Sequence, residues 1–213
     1  MPAVKQTPLT VPSHTLLAHK LAALRDKTTP AATFRRLLAE IGAILTVEAT
    51  AELEATHQTV ETPLMPMSHK VLAQPEPCLV PVLRAGLGLL EGARWILPEA
   101  PVGHVGLFRD ERTLSPQEYV VRLPPDLAER GAILLDPMLA TGGSAVAAVD
   151  RLKQAGAKRI IFVCVVAAPE GAQKLAAAHP DVPCFAASLD ERLNEHGYIL
   201  PGLGDAGDRC FGT

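Results

Sequence analysis

Hydrophobic positions change their period near residue 78. Before that point they recur three and four residues apart. Leu16, Leu17, Leu21 and Leu24 mark a helix within residues 14–27, and Pro30 then stops or starts an element. Phe34, Leu37, Leu38, Ile41, Ile44 and Leu45 form one apolar stripe on a long helix reaching about residue 53. Residues 62–77 hold four prolines and read as loops with room for an edge strand.

Beyond residue 78, apolar residues come in short unbroken runs instead. Residues 78–83 (CLVPVL), 103–108 (GHVGLF), 132–136 (AILLD), 159–167 (RIIFVCVVA) and 184–188 (CFAAS) read as buried strands. Helical stretches separate them: one running to residue 96, one at 143–155 and one at 169–179. Continuous apolar strands alternating with helices predict βαβ units, hence an α/β fold with a parallel sheet flanked by helices. A second strand at 118–122 pairs with 103–108 as a projecting β-arm turning at Ser115 and Pro116.

With 213 residues, 48% of them hydrophobic, the chain can bury one substantial core, and residues 1–213 are expected to form a single domain. Within it, 1–55 would supply helices, 78–188 the core sheet and 189–213 a small tail. A net charge of −3 gives no electrostatic footprint for nucleic acid. No apolar run approaches the ~20 residues of a membrane helix, and the first residues lack the apolar region of a signal peptide. Cys78, Cys164, Cys184 and Cys210 form no C-x-x-C pair and read as small core residues, as suits a reducing cytoplasm. No metal-ligand set stands out.

In parallel sheets ligands bind beyond the carboxyl ends of the strands, so the residues just after each strand carry the chemistry. After 132–135 comes Asp136, Pro137, Met138, Leu139, Ala140, Thr141, Gly142, Gly143 and Ser144. Adjacent glycines let successive N–H groups turn inward, the following helix adds partial positive charge, and Thr141 and Ser144 add hydroxyls. That combination suits a phosphate monoester; the competing reading is an ordinary helix cap and turn. Arg84 follows strand 78–83 beside Gly86, where a guanidinium can grip two phosphate oxygens or simply point into solvent. Arg109 stands after the 103–108 strand, with Arg112 close by as solvated charge.

Residues 193–213 read LNEHGYILPGLGDAGDRCFGT. Gly202, Gly204 and Gly207 mimic a dinucleotide fingerprint, but only six residues follow, too few for the strand–helix unit that motif needs. A tight, glycine-rich backbone can instead present N–H and C=O groups to a flat ligand. His196 reads as a structural hydrogen-bonding residue rather than an acid or base.

Three segments, LRAG at 83–86, DPMLATGGS at 136–144 and GYILPGLGDAGDRCFGT at 197–213, resemble those of the uracil phosphoribosyltransferases. HKLAALRD at 19–26, LTVEATAELE at 45–54 and VAAPEG at 166–171 extend the resemblance over nearly the whole chain. Many phosphoribosyltransferases carry two adjacent acidic residues where this chain has Asp136 and Pro137, and the DPM form is similar to the uracil branch.

The resemblance implies a phosphoribosyltransferase fold and uracil and 5-phosphoribosyl 1-diphosphate (PRPP) as substrates. It further implies Mg²⁺ entering mainly on the PRPP oxygens, a homodimer or larger homo-oligomer, and admits a nucleotide effector such as GTP. It assigns Arg84, Arg109 and residues 136–144 to PRPP, with Asp205 facing the donor. Ile199 and the backbone of Gly204, Asp205 and Ala206 would hold uracil. Arg84, Arg109 and Asp205 are the expected catalytic residues. Other bases, purines included, and a regulator that kept the fold without turnover are the alternatives.

Overall fold

The computed structural model describes residues 9–109 and 116–213, with the backbone alone at 108, 109, 116 and 117. Helix α1 (Thr15–Arg25) follows the short strand β1 (Leu9–Thr10). The His14 ring caps α1 by accepting the Leu17 amide at 3.3 Å. Helix α2 (Ala31–Thr50) starts directly after Pro30, whose fixed φ suits a helix start. It ends three residues before the expected limit. Its stripe of Phe34, Leu37, Leu38, Ile41 and Leu45 is buried.

Residues 62–77, expected as loops with room for an edge strand, contain one strand of a hairpin whose other strand, before residue 62, is unexpected. Strands β2 (Ala55–Glu61) and β3 (Pro66–Leu72) form an antiparallel hairpin outside the main sheet. Both strands are exposed along almost their whole length. Without a buried face, the hairpin leaves no hydrophobic alternation to find in the sequence.

The central sheet comprises β4 (Cys78–Leu83), β5 (His104–Arg109), β6 (Pro116–Arg122), β7 (Ala132–Leu135), β8 (Met138–Leu139), β9 (Ile160–Ala167) and β10 (Cys184–Leu189), with β1 at one edge. Its order is β1-β10-β9-β7-β4-β5-β6, and β8 also pairs with β9. Every pairing is parallel except β5 with β6. The β5–β6 pair is the expected antiparallel pairing, but Pro116, expected in the turn, already belongs to β6 opposite Arg109; Arg112 and Ser115 lie outside the described residues.

Both sheet faces are covered, which is why the strands read as unbroken apolar runs. Leu79, Ile133, Leu135, Val163 and Val165 face one core, with α1, α2 and helix α3 (Leu87–Ile96). Cys78, Val80, Leu134, Phe162 and Cys164 face the other. There they meet helices α4 (Leu127–Arg130), α5 (Gly143–Gln154) and α6 (Pro169–Ala178). All four cysteines are buried and free. At roughly 1.5–3 kcal/mol for each fully buried Val, Leu, Ile or Phe, these two layers supply most of the drive to fold.

The tail is more ordered than its glycines suggest. Strands β11 (Arg192–Leu193) and β12 (Ile199–Leu200) form a small antiparallel ladder, and helix α7 (Ala206–Phe211) comes after them. Asp205 caps α7, its Oδ1 accepting the Asp208 amide at 2.9 Å. Gly207 therefore lies in a helix rather than in irregular backbone. No helix among the described residues is long and apolar enough to cross a membrane.

Candidate active site

A cleft of about 350 Å³ opens at the carboxyl ends of β4 and β7. Three segments remote in sequence meet there: the turn after β4, the loop after β7, and the tail. Parallel strands all point their carboxyl ends the same way, so loops after neighbouring strands must converge.

The β7 loop is held by its neighbour strand. β8 resumes pairing with β9 in the register β7 leaves, Leu135 opposite Val163 and Met138 opposite Val166. The Pro137 carbonyl accepts the Val165 and Val166 amides at 3.0 and 3.1 Å. Asp136 is thereby fixed at the cleft, where burial of its carboxyl pushes the pKa up to about 7, opposed by the Met138 N–H donating at 3.2 Å.

Gly142 then turns the chain at φ +76°, a left-handed conformation that suits glycine, and α5 begins. The first bond into that helix is from the Val146 amide to the Gly142 carbonyl at 3.0 Å. The amides of Gly143, Ser144 and Ala145 precede it and form the open, electropositive end of the helix.

Of the nine residues at 136–144, Asp136, Met138, Ala140 and Ser144 line the cleft. Pro137 and Leu139 are buried and shape the loop. Thr141, Gly142 and Gly143 form the turn at the start of α5.

Arg84 and Ala85 make the facing wall. The turn is tight because Gly86 is there: a Cβ would stand 2.4 Å from the Leu135 carbonyl oxygen. Arg84 is 58% exposed, lies 3.8 Å from Asp208 and stacks 5.7 Å from the centre of the Phe211 ring. The peptide bond before it is cis, as is that between Leu200 and Pro201. Arg109 ends β5, and its side chain lies outside the described atoms.

The tail closes the third side with Ile199, Gly204, Asp205 and Ala206. Ile199 and Ala206 are buried, whereas Gly204 and Asp205 are exposed. His196 sits apart, exposed on the loop between β11 and β12.

Three contributors escaped the sequence reading. Tyr198, half exposed, lines the cleft beside Ile199; an aromatic among tail glycines was the available signal. Gly171 lets α6 press against the 136–144 loop, since a Cβ there would meet the Ala140 carbonyl oxygen at 2.3 Å. Lys174, one turn further along α6, brings Nζ to 3.9 Å from where a Gly143 Cβ would stand. It pairs with no carboxylate among the described residues. Nothing in its sequence neighbourhood marks it, because only the β9–α6 crossover brings it there.

The chain superimposes on a solved structure from Aquifex aeolicus with a TM-score of 0.90 and 38% identity, covering 96% of this chain and 98% of that one. The purine phosphoribosyltransferase of Pyrococcus horikoshii shares the fold at a TM-score of 0.50 and 17% identity, over 72% of this chain and 84% of that one. Parallel sheet, cleft position and these likenesses define the phosphoribosyltransferase class of α/β folds.

Residues 11–213 match the family model described as uracil phosphoribosyltransferase. Relatives of that name include one from Geobacillus kaustophilus, 52% identical over 200 residues, 94% of this chain and 96% of that one. Another, from Brucella anthropi, is 54% identical over 205 residues, 96% of this chain and 99% of that one. The chain belongs to the uracil phosphoribosyltransferase family.

Proposed function

We propose that the chain transfers the 5-phosphoribosyl group from PRPP to N1 of uracil, giving UMP and diphosphate, the reaction of pyrimidine salvage. The observation carrying this reading is the convergence of the 136–144 loop, the Arg84 turn and the Ile199–Ala206 tail on one cleft. Family membership supports it independently.

The α5 amides with Thr141 and Ser144 take the 5′-phosphate, and Asp136 takes the ribose hydroxyls. Residues 137–140 and the glycine pair Gly142 and Gly143 hold that loop in shape. Arg84 and Arg109 grip the diphosphate. Ile199 packs against uracil while the backbone of Gly204, Asp205 and Ala206 reads its edge, and Asp205 also faces the donor. Cytosine exchanges donor and acceptor at positions 3 and 4, so such a backbone site rejects it by leaving buried groups unpaired.

As the N1–C1 bond forms and the C1–diphosphate oxygen bond breaks, positive charge grows on the sugar and negative charge on the leaving group. The N1 proton is released to solvent water, so that uracil and PRPP give UMP, diphosphate and one proton. Arginines and a helix end already aimed at the growing anion need no reorganisation, so positioning and electrostatics do most of the catalysis. Among the described residues, no cluster of three or more acidic, His or Cys side chains could cage a metal. Asp136 and Asp205, hard oxygen donors lining one cleft, fit Mg²⁺ that arrives on PRPP oxygens. When bound, Mg²⁺ neutralises diphosphate charge.

Residues 1–213 act as one unit, with helices 1–55, sheet 78–188 and base-binding tail 189–213. The exposed β2–β3 hairpin, with Leu64 at 95% and Met65 at 68% accessibility, supports a homodimer or larger homo-oligomer, since an isolated hairpin is marginal in water. We place the enzyme in the cytoplasm, in keeping with its four free cysteines, and GTP is a candidate effector.

The test is to incubate the protein with PRPP, Mg²⁺ and each base in turn, with and without GTP. UMP from uracil, and little product from cytosine or purines, is expected. Product from another base alone, or from none, overturns the reading. Loss of turnover in Arg109→Ala with the fold intact supports its diphosphate role; unchanged kinetics remove it.

A further inference from the structure

Arg25 ends α1 and Asp190 directly follows β10, 165 residues apart in the chain. Their side chains meet in a two-pronged pair, Nη1 to Oδ2 at 2.7 Å and Nη2 to Oδ1 at 2.6 Å. The Asp190 side chain is 2% exposed, so its charge is almost wholly removed from water. Two further donors complete its shell: Ser188 Oγ to Oδ1 at 2.7 Å and the Gly202 amide to Oδ2 at 2.8 Å. Burial opposes ionisation, yet the hydrogen bonds from Arg25, Ser188 and Gly202 win and hold the carboxyl below its usual range.

The consequence falls on Gly202. Its N–H goes to Asp190, and its C=O accepts Arg25 Nη1 at 2.7 Å. Both polar groups of one tail residue are thus held by a single ion pair. Next along the chain, the Leu203 carbonyl accepts Arg209 Nη1 at 2.8 Å. Arg209 in turn lies 4.5 Å over the Phe34 ring and donates to the Asp26 carbonyl at 2.5 Å. The Asp190 amide donates to the Ala167 carbonyl at 2.8 Å, tying the pair to the sheet.

A base read by side chains could be followed by rotamer changes. One read by backbone groups cannot, because those groups move only with the loop. Precision in residues 204–206 therefore depends on the anchors at 202 and 203, on one side, and on the Asp205 cap of α7, on the other.

We propose that Arg25 and Asp190 are positioning residues for uracil, holding the segment from Ile199 to Ala206 in the geometry that distinguishes uracil from cytosine. The inference rests on the reading that this segment holds the base. The pair touches no substrate. Its effect falls on the base side of the cleft, because among the described residues no side-chain hydrogen bond or ion pair of Arg25 or Asp190 goes to the 136–144 loop or to Arg84.

Steady-state kinetics on Arg25→Lys, Ser188→Ala and Ile199→Ala decides the matter, each variant checked by circular dichroism. Arg25→Lys keeps the charge but loses the two-pronged geometry. It is expected to raise KM for uracil about tenfold while KM for PRPP stays within about twofold, and to erode the preference over cytosine. Ser188→Ala, which removes one of the four donors, guards against a misfolded lysine variant. It should move KM for uracil in the same direction by about threefold.

Equal shifts in both KM values, or none, in folded Arg25→Lys and Ser188→Ala overturn the proposal. Ile199→Ala separates the two levels. If it raises KM for uracil while the other two do not, the positioning role alone fails. If it leaves KM for uracil unmoved, the base-site reading fails and the proposal with it.

Discussion

The Asp136 carboxylate accepts the Met138 amide at 3.2 Å, at the point where β7 gives way to β8. One hydrogen bond does not offset burial, and the pKa stands at about 7. A carboxyl with a folded pKa above its unfolded value of about 3.9 adds stability below that value, lost as pH rises through about 7. Without ligands, this group should therefore lower the melting temperature between about pH 4 and 7, and Asp136→Asn should flatten that slope. In the folded protein the carboxylate forms only as pH rises through about 7, so KM for PRPP should improve across that pH in the parent and not in the variant. Thermal melts and kinetics across pH check both.

Arg84→Lys preserves charge but not the planar fork. We expect kcat/KM to fall by about a hundredfold, the scale of losing one aimed donor. Stability should hardly change, because the Arg84–Asp208 pair is more than half exposed. A melting curve beside the kinetics separates the two effects.

Gly142→Ala places a side chain at φ +76°, with Cβ 2.9 Å from the Gly171 carbonyl oxygen. A left-handed non-glycine residue costs about 1–3 kcal/mol, and here the turn must also shift away from α6. Denaturant unfolding should report that loss, and KM for PRPP should rise at least about tenfold as the amides of α5 lose their aim.

Lys174→Ala tests a charge that sequence motifs do not mark. Its ammonium lies beside the Gly142–Gly143 turn in solvent, so a modest effect is expected. KM for PRPP should rise about two- to fivefold at low ionic strength, and the difference should shrink as salt is added. Uracil KM should not move.

Much of this molecule was legible in its sequence. The runs at 78–83, 132–136 and 159–167 announced a sheet buried on both faces, and the structure places strands at Cys78–Leu83, Ala132–Leu135 and Ile160–Ala167. The reason is local and strong: a strand buried on both sides has no polar position. The 136–144 turn was readable because glycines, hydroxyls and a helix start combine within a few residues. The β2–β3 hairpin and α7 were not, since one has no buried face and the other hides among glycines capped by Asp205.

Tertiary structure alone decided which distant residues meet. Sequence composition placed chemistry after the strands, but not the tail across the cleft from Asp136, nor Lys174 beside Gly143, nor Arg25 on Asp190. Hydrophobic period and turn chemistry act over a few residues, so a sequence reports them directly. Pairings across 165 residues depend on how layers stack and where helices end, and those are settled only when the whole core packs.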